Sequence, residues 1–320
     1  MAERICLITG ISGQDGGYLG EQLAAEGSVV HGLVRPGDNA TADLAGRLPG
    51  VTLHETDLRD TAAVGSLITR IAPDEVYNLA GISSVAQSWA QPVLTGEISG
   101  VAVAGVLQAC WELQEATGRP VRVVQAASAE IFGNPVTSPQ DEGTPIAPVN
   151  PYGAAKAYAH HLVGVYAQRG LHAVSAILYN HESPRRPDTF VTRKITRGAA
   201  LIARGEATEL ALGNLDARRD WGWAPDYVDA MVRAARHDAG GSYVIATGIP
   251  HSVREFVAAA FTAAGIDDWE RYVRVDPAFV RPVDAVELAG DAGRARTELG
   301  WSPTVGFDEL VRRMVEVDLV

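Results

Sequence analysis

The sequence predicts an α/β protein: a doubly wound parallel sheet with a smaller C-terminal substrate-binding domain built from insertions. Three observations carry this. Short apolar runs alternate with helical stretches from the start of the chain. A glycine-rich loop joins the first apolar run to the first helix. Near mid-chain a strand-like run leads to Ser128, Glu130, Tyr152 and Lys156, and ligands bind at the carboxyl ends of strands in open parallel sheets.

Ile5-Cys-Leu-Ile8 reads as the first strand and residues 18–24 as the first helix. Between them, Gly10, Gly13 and Gly16 permit a tight turn and close approach of a pyrophosphate to the helix N-terminus. Gly10, Ser12, Gly13, Gln14, Asp15 and Gly16 are therefore candidate cofactor residues of a Rossmann-type domain. Residues 28–34 read as strand two, closed by Arg35. An acid there suits a ribose 2′-hydroxyl, whereas an arginine suits a 2′-phosphate, so Arg35 points to NADP. Strands three and four are expected at 51–54 and 74–80. The small-residue loop Gly81-Ile-Ser83-Ser-Val85 follows, placed to run beneath the cofactor. Residues 101–113 read as an apolar core helix.

Residues 121–124 read as a buried strand, which puts Ser128 and Glu130 at or just past its end. Asn150-Pro151 opens a helix over 152–169, with proline near its first turn. Tyr152 and Lys156, four apart, then share a face. An ammonium beside a phenol favours the phenolate, so Tyr152 is expected to act as a base near neutral pH. Tyr158, Leu162, Val163 and Tyr166 form a stripe read mostly as core.

Beyond the strand at 172–179 the alternation breaks. Arg185, Arg186, Arg193 and Lys194 crowd a short stretch of an acidic chain and predict a local anion site. Residues 210–214, 218–223 and 226–230 return the chain towards the sheet, with Trp221 and Trp223 as packing residues. A strand at 241–246, a helix capped by Ser252 and a final helix over 307–317 complete the chain. The expected division is 1–179 with 220–247 for the dinucleotide and 180–219 with 248–320 for the substrate.

The net charge of −12 argues against a broad nucleic-acid or anionic-membrane surface. No apolar run is read as approaching the ~20 residues of a membrane span, and no signal segment precedes the first strand, so a cytoplasmic protein is expected. Cys6 and Cys110 are read as buried free thiols. The eight histidines form no metal-ligand pair.

The motifs Thr9-Gly-Ile-Ser-Gly-Gln-Asp-Gly16, Tyr77-Asn-Leu-Ala80, Ser128-Ala-Glu130, Tyr152 with Lys156, Asn180-His-Glu-Ser-Pro-Arg-Arg186, Phe190-Val-Thr-Arg-Lys194, Leu212-Gly-Asn-Leu-Asp216, Arg219-Asp-Trp-Gly222, Tyr243-Val-Ile-Ala-Thr-Gly248 and His251-Ser-Val-Arg-Glu-Phe256 are spread over nearly the whole chain. Together they resemble the GDP-mannose 4,6-dehydratases, a family of extended short-chain dehydrogenases/reductases. The resemblance implies internal hydride transfer through NADP on a GDP-linked sugar, with loss of water. It implies that Tyr152 works at the carbon 4 hydroxyl, that Ser128 bonds the carbon 4 oxygen, and that Glu130 acts at carbon 5. Lys156 would hold the nicotinamide ribose. Asp57, Leu58, Leu79, Ala80, Ser83, His181 and Arg186 would lie at the cofactor. Ser83, Asn180, Lys194, Arg218, Arg281 and Asp284 would lie near the GDP-sugar. The family usually has threonine where Ser128 stands, tyrosine where Leu94 stands, and a longer loop after strand two than Arg35-Pro-Gly-Asp38. That loop reaches a neighbouring subunit in family tetramers, which leaves a homodimer or a homotetramer open. Other openings are a GDP-heptose dehydratase, a 4-keto-sugar reductase or epimerase, and an NADP-sensing protein without turnover.

Overall fold

The structure is a computed structural model that describes residues 3–38, 41–279 and 287–320. Its strands are β1 (Ile5–Thr9), β2 (Val29–Val34), β3 (Thr52–Glu55), β4 (Glu75–Asn78), β5 (Arg122–Ala126), β6 (His172–Leu178), β7 (Asn180–Glu182), β8 (Leu210–Leu212), β9 (Arg218–Trp223), β10 (Gly241–Ile245), β11 (Pro250–Ser252), β12 (Val273–Val275) and β13 (Glu287–Leu288). Its helices are α1 (Gln14–Ala25), α2 (Thr41–Arg47), α3 (Thr61–Ile71), α4 (Val85–Ala90), α5 (Pro92–Gly96), α6 (Ala102–Thr117), α7 (Pro151–Gln168), α8 (Val191–Ala203), α9 (Ala224–Arg236), α10 (Val253–Ala263), α11 (Gly293–Leu299) and α12 (Phe307–Leu319).

Seven parallel strands make the main sheet, in the order β10-β6-β5-β4-β1-β2-β3. The order reverses between β1 and β4, which opens a crevice at their carboxyl ends. Both faces of the sheet are covered, as a parallel sheet requires. Leu19, Leu23, Val228, Met231 and Trp301 pack on one side, and Leu67, Val106, Cys110 and Val163 on the other. A third core, around Ile195, Trp221, Phe256, Phe261, Leu310 and Met314, unites α8, α10 and α12. There β9 pairs with β7, β11 and β13.

Several boundaries differ from expectation for local reasons. Helix α1 begins at Gln14, ahead of the apolar positions that mark it in the sequence. Residues 226–230 lie inside α9. The apolar helix expected from residue 101 starts at Pro92, in a first turn where the missing N–H is no loss. It runs through a π-helical turn (Glu97–Val101) into α6. The resulting 26-residue helix, Pro92–Thr117, is long and apolar enough by composition to cross a membrane, which corrects the expectation that no run approached that length. Half of its most apolar stretch is buried in the fold, where the helix lies against α3 and α7. Tyr158 is also corrected: it is exposed, as are Val93, Val101 and Val165.

Candidate active site

The carboxyl ends of β1, β4, β5 and β6 bring four segments to one sheet edge: the glycine loop, residues 79–85, residues 126–130 and residues 179–183. The glycine loop is pressed onto the end of β4. Gly10 has φ +70°, and a Cβ there would stand 2.8 Å from the Ala80 Cα. A Cβ on Gly16 would stand 2.3 Å from the Gly10 carbonyl oxygen, so neither position accepts a side chain. Helix α1 opens at Gly13 without a side-chain cap, which leaves first-turn N–H groups for an anion. This cradle fits the pyrophosphate of a dinucleotide.

Other expected cofactor residues lie in the segments that follow β1, β2, β3 and β4. Ser12 donates its hydroxyl to Asp38 at 2.8 Å, and Arg35 is exposed at the end of β2. Leu58 is buried, while Asp57 is gripped by Arg59, whose hydrogen bonds hold that carboxyl below its ordinary range. Ser83 is exposed beyond Leu79 and Ala80, and the adjacent Ser84 caps α4.

Gln14 and Asp15 face β7. Gln14 donates to the His181 carbonyl at 3.1 Å and accepts from the Ser183 hydroxyl at 2.8 Å. His181 Nε2 lies 2.8 Å from Asp15 Oδ2, and its Nδ1 lies 2.7 Å from the Tyr179 carbonyl. Burial alone would lower the His181 pKa, but Asp15 outweighs it and the pKa is raised. Burial likewise pushes Asp15 up, yet His181 holds it below the ordinary value. Two acceptors on one ring fit an imidazolium. The ring also stacks on Tyr227, with centroids 4.6 Å apart.

A polar line crosses the same edge. The Thr9 hydroxyl donates to Asn78 Oδ1 at 2.6 Å, and Asn78 Nδ2 donates to Gln125 Oε1 at 2.6 Å. Gln125 then donates to the Ala126 carbonyl at 2.9 Å, which also accepts from Lys156 Nζ at 2.7 Å. Lys156 is buried, with its Nζ 5.9 Å from the centre of the Tyr152 ring. Ser128 Oγ accepts from the Glu130 N–H at 3.3 Å and opens the short 3-10 turn Ala129–Ile131.

The expected lowering of the Tyr152 pKa by Lys156 is not found. Burial pushes the phenol up to about 12, against the hydrogen bond from Ser128. Burial also pushes Lys156 down to about 8. Desolvation outweighs attraction because both groups sit in the closed interior and the ammonium is turned to the Ala126 carbonyl.

This has a measurable consequence. A lysine whose folded pKa is below its unfolded value lets the unfolded chain bind more protons, so stability rises with pH from about 8 to about 10. Above about 10 the raised Tyr152 pKa opposes the trend. Urea midpoints of the cofactor-free protein should therefore climb across pH 8–10, and Lys156→Met should flatten the climb, removing on the order of 2–3 kcal/mol. An unchanged slope in the variant would refute the assignment.

The basic run is largely neutralised. Arg185 pairs with Glu21 at 2.8 Å, Arg186 with Glu182 at 3.2 Å, and Arg193 with Asp318. Lys194 instead lies 3.6 Å from the centre of the Phe279 ring. Of the four cations, Lys194 alone faces an aromatic ring and not a carboxylate within ion-pair distance among the described residues. Asn180 pairs with Trp221 in the β7–β9 ladder. Arg218 reaches Glu287 at 3.2 Å and Glu255 at 3.4 Å, and donates to the Pro250 carbonyl at 2.7 Å. Arg281 and Asp284 lie outside the described residues.

Sequence reasoning missed two residues. Ser99, in the π-helical turn, accepts from the Ile82 N–H at 3.0 Å. A Cβ on Gly81 would meet both the Ser99 hydroxyl at 3.0 Å and Lys156 Nζ at 3.6 Å, so these groups line one space. A break in helix periodicity is the only signal that could have found it. Asn150 donates to Glu130 Oε2 at 2.8 Å. An asparagine before a proline reads in sequence only as a helix cap.

Known proteins resemble the chain over nearly its whole length. A family described as GDP-mannose 4,6 dehydratase matches residues 7–314. The chain is 43% identical over 326 residues to GDP-mannose 4,6 dehydratase 2 of Arabidopsis thaliana, covering 99% of this chain and 87% of that one. Among solved structures, UDP-glucose 4-epimerase of Thermus thermophilus in complex with NAD superposes with a TM-score of 0.84 at 28% identity, covering 98% of each chain. RMD of Pseudomonas aeruginosa complexed with NADPH superposes with a TM-score of 0.81 at 25% identity, covering 99% of each.

Proposed function

The chain belongs to the GDP-mannose 4,6-dehydratase family, and on that premise we propose that it is a lyase converting GDP-mannose to GDP-4-keto-6-deoxymannose. The observation that carries the reading is Glu130, in the turn that Ser128 opens, bonded to Asn150 at the start of the helix that carries Tyr152 and Lys156. A carbon 4 reductase or epimerase needs the phenol and the ammonium but has no use for a carboxylate that acts at carbon 5.

A bound NADP supplies a hydride acceptor for carbon 4 and a hydride donor for carbon 6. Tyr152 takes the carbon 4 hydroxyl proton, and the Ser128 hydroxyl bonds the oxygen as charge develops. The new ketone acidifies the proton on carbon 5. Glu130 removes that proton and hands one to the departing carbon 6 hydroxyl, which leaves as water. Tyr152, which still holds the carbon 4 proton, returns it to carbon 5 directly or through Glu130. Lys156 holds the nicotinamide ribose, and Asp15, held by His181, braces the glycine loop. Lys194, Asn180 and Arg218 are proposed at the GDP-sugar. Residues 1–179 with 220–247 are proposed to carry the cofactor, and 180–219 with 248–320 the sugar nucleotide.

The purified protein incubated with GDP-mannose tests the reaction by mass spectrometry. Loss of ~18 mass units, one water, is expected even without added cofactor if NADP co-purifies. An unchanged mass after adding NADP+ would reject GDP-mannose as substrate. GDP-heptose is the next sugar to offer.

The NADP preference rests on Arg35, an exposed cation at the end of β2. Asp38, held by Ser12, is suited instead to a ribose 2′-hydroxyl. Arg35→Ala is expected to weaken NADP+ binding ~10-fold or more while changing NAD+ affinity less than ~2-fold. Equal losses in calorimetry would mean that Arg35 does not meet a 2′-phosphate.

A homodimer is proposed, supported by the apolar outer face that Val93, Val101, Tyr158 and Val165 present on neighbouring helices. Sedimentation at micromolar concentration should give twice the 33.9 kDa chain mass. Two buried free thiols fit a reducing, cytoplasmic setting.

A further inference from the structure

Asn150 uses both ends of its amide. Oδ1 accepts from the Gly153 N–H at 2.8 Å and caps α7. Nδ2 donates to Glu130 Oε2 at 2.8 Å. Asn150 is itself buried. The backbones around this pair are equally constrained. A Cβ on Gly153 would stand 2.4 Å from the Glu130 carbonyl oxygen, so the turn carrying Glu130 is pressed against the first turn of α7. Tyr152 is the second residue of that helix.

Capping does not explain why this residue is asparagine. Serine, threonine or aspartate would also cap α7. Of these residues, only asparagine offers an acceptor for the helix together with N–H donors for a carboxylate. We propose that Asn150 is a positioning residue for the elimination half of the reaction. It holds the Glu130 carboxylate in register with the helix that carries Tyr152. With Oε2 engaged by Asn150, Oε1 is the oxygen that takes the carbon 5 proton. The electron pair of that carbon–hydrogen bond forms the carbon 5–carbon 6 double bond as the carbon 6 hydroxyl departs with a proton.

This proposal rests on Glu130 acting as the base, so Glu130→Gln is run beside it. Asn150→Ser keeps the cap and removes the amide N–H, leaving only a hydroxyl one bond nearer the backbone. Asn150→Asp keeps the cap and sets a second carboxylate against Glu130. Asn150→Ser is expected to keep the parent's melting temperature, and both variants its NADP+ affinity and KM. Elimination should slow ~10- to 100-fold in Asn150→Ser and further in Asn150→Asp. The oxidised but undehydrated sugar nucleotide should then build up in acid-quenched samples. A merely structural loss would slow oxidation and elimination alike and give no build-up, and that result would overturn the proposal.

Normal elimination by Asn150→Ser, with Glu130→Gln inactive, would overturn the role of Asn150 alone. Normal elimination by Glu130→Gln would remove the reading on which it stands. A readout independent of turnover is the exchange of the Asn150 side-chain amide protons with water in the cofactor-free protein. Slow exchange that Glu130→Ala releases is expected, and free exchange in the parent would contradict the bond.

Discussion

Glu130→Gln is expected to bind NADP+ as the parent does and to lose elimination by roughly 10³- to 10⁴-fold. Glutamine matches glutamate in shape and keeps an oxygen for the Asn150 amide, which donates to that position at 2.8 Å. It cannot take a proton from carbon 5. In the proposed mechanism oxidation at carbon 4 rests on Tyr152, Ser128 and Lys156, and it should survive. Acid-quenched single turnovers, read by mass spectrometry, should therefore contain the 4-keto sugar nucleotide with its carbon 6 hydroxyl intact. Dehydrated product at the parental rate would refute the assignment. A variant that neither oxidises nor binds would point instead to damage at the start of α7, and its melting temperature would show it.

The largest expected effect on stability is at Asp220. Its carboxylate is fully buried in β9 and accepts from the Thr247 N–H at 2.9 Å, the Thr247 hydroxyl at 2.6 Å, the Gly248 N–H at 2.7 Å and the Gly290 N–H at 3.3 Å. These donors tie the end of the main sheet, after β10, to the strand shared by β7, β11 and β13. Burial raises the Asp220 pKa even against those donors, so the charge itself is not what stabilises. The donors are. Asp220→Ala leaves them unpaired in the interior and should cost about 3–5 kcal/mol. Urea unfolding checks this through a lower midpoint. A loss below ~1 kcal/mol would mean that water replaces the carboxylate.

The legible parts of the molecule are those that local chemistry decides. The strands around the crevice are apolar runs flanked by glycine or polar residues, and each lies within a residue or two of its expected place. Ser252 caps its helix as read, with Glu255 completing a capping box. Trp221 packs on Phe256, as its reading as a packing residue requires. Pro92–Thr117 was less legible, because small residues and a π-helical turn break its period.

Within the candidate site the sequence alone named Ser128, Glu130, Tyr152 and Lys156, because their spacing follows from one strand end and one helix. It also determined the fold class, since periodicity and glycine placement act over a few residues. Only the tertiary structure decided how the charges pair. Glu21, Glu182 and Asp318 take up Arg185, Arg186 and Arg193, two of them from distant parts of the chain. Only the packed interior decided that Tyr152 is pushed up and Lys156 down. Desolvation depends on everything that surrounds a group, and a sequence shows only the neighbours along the chain.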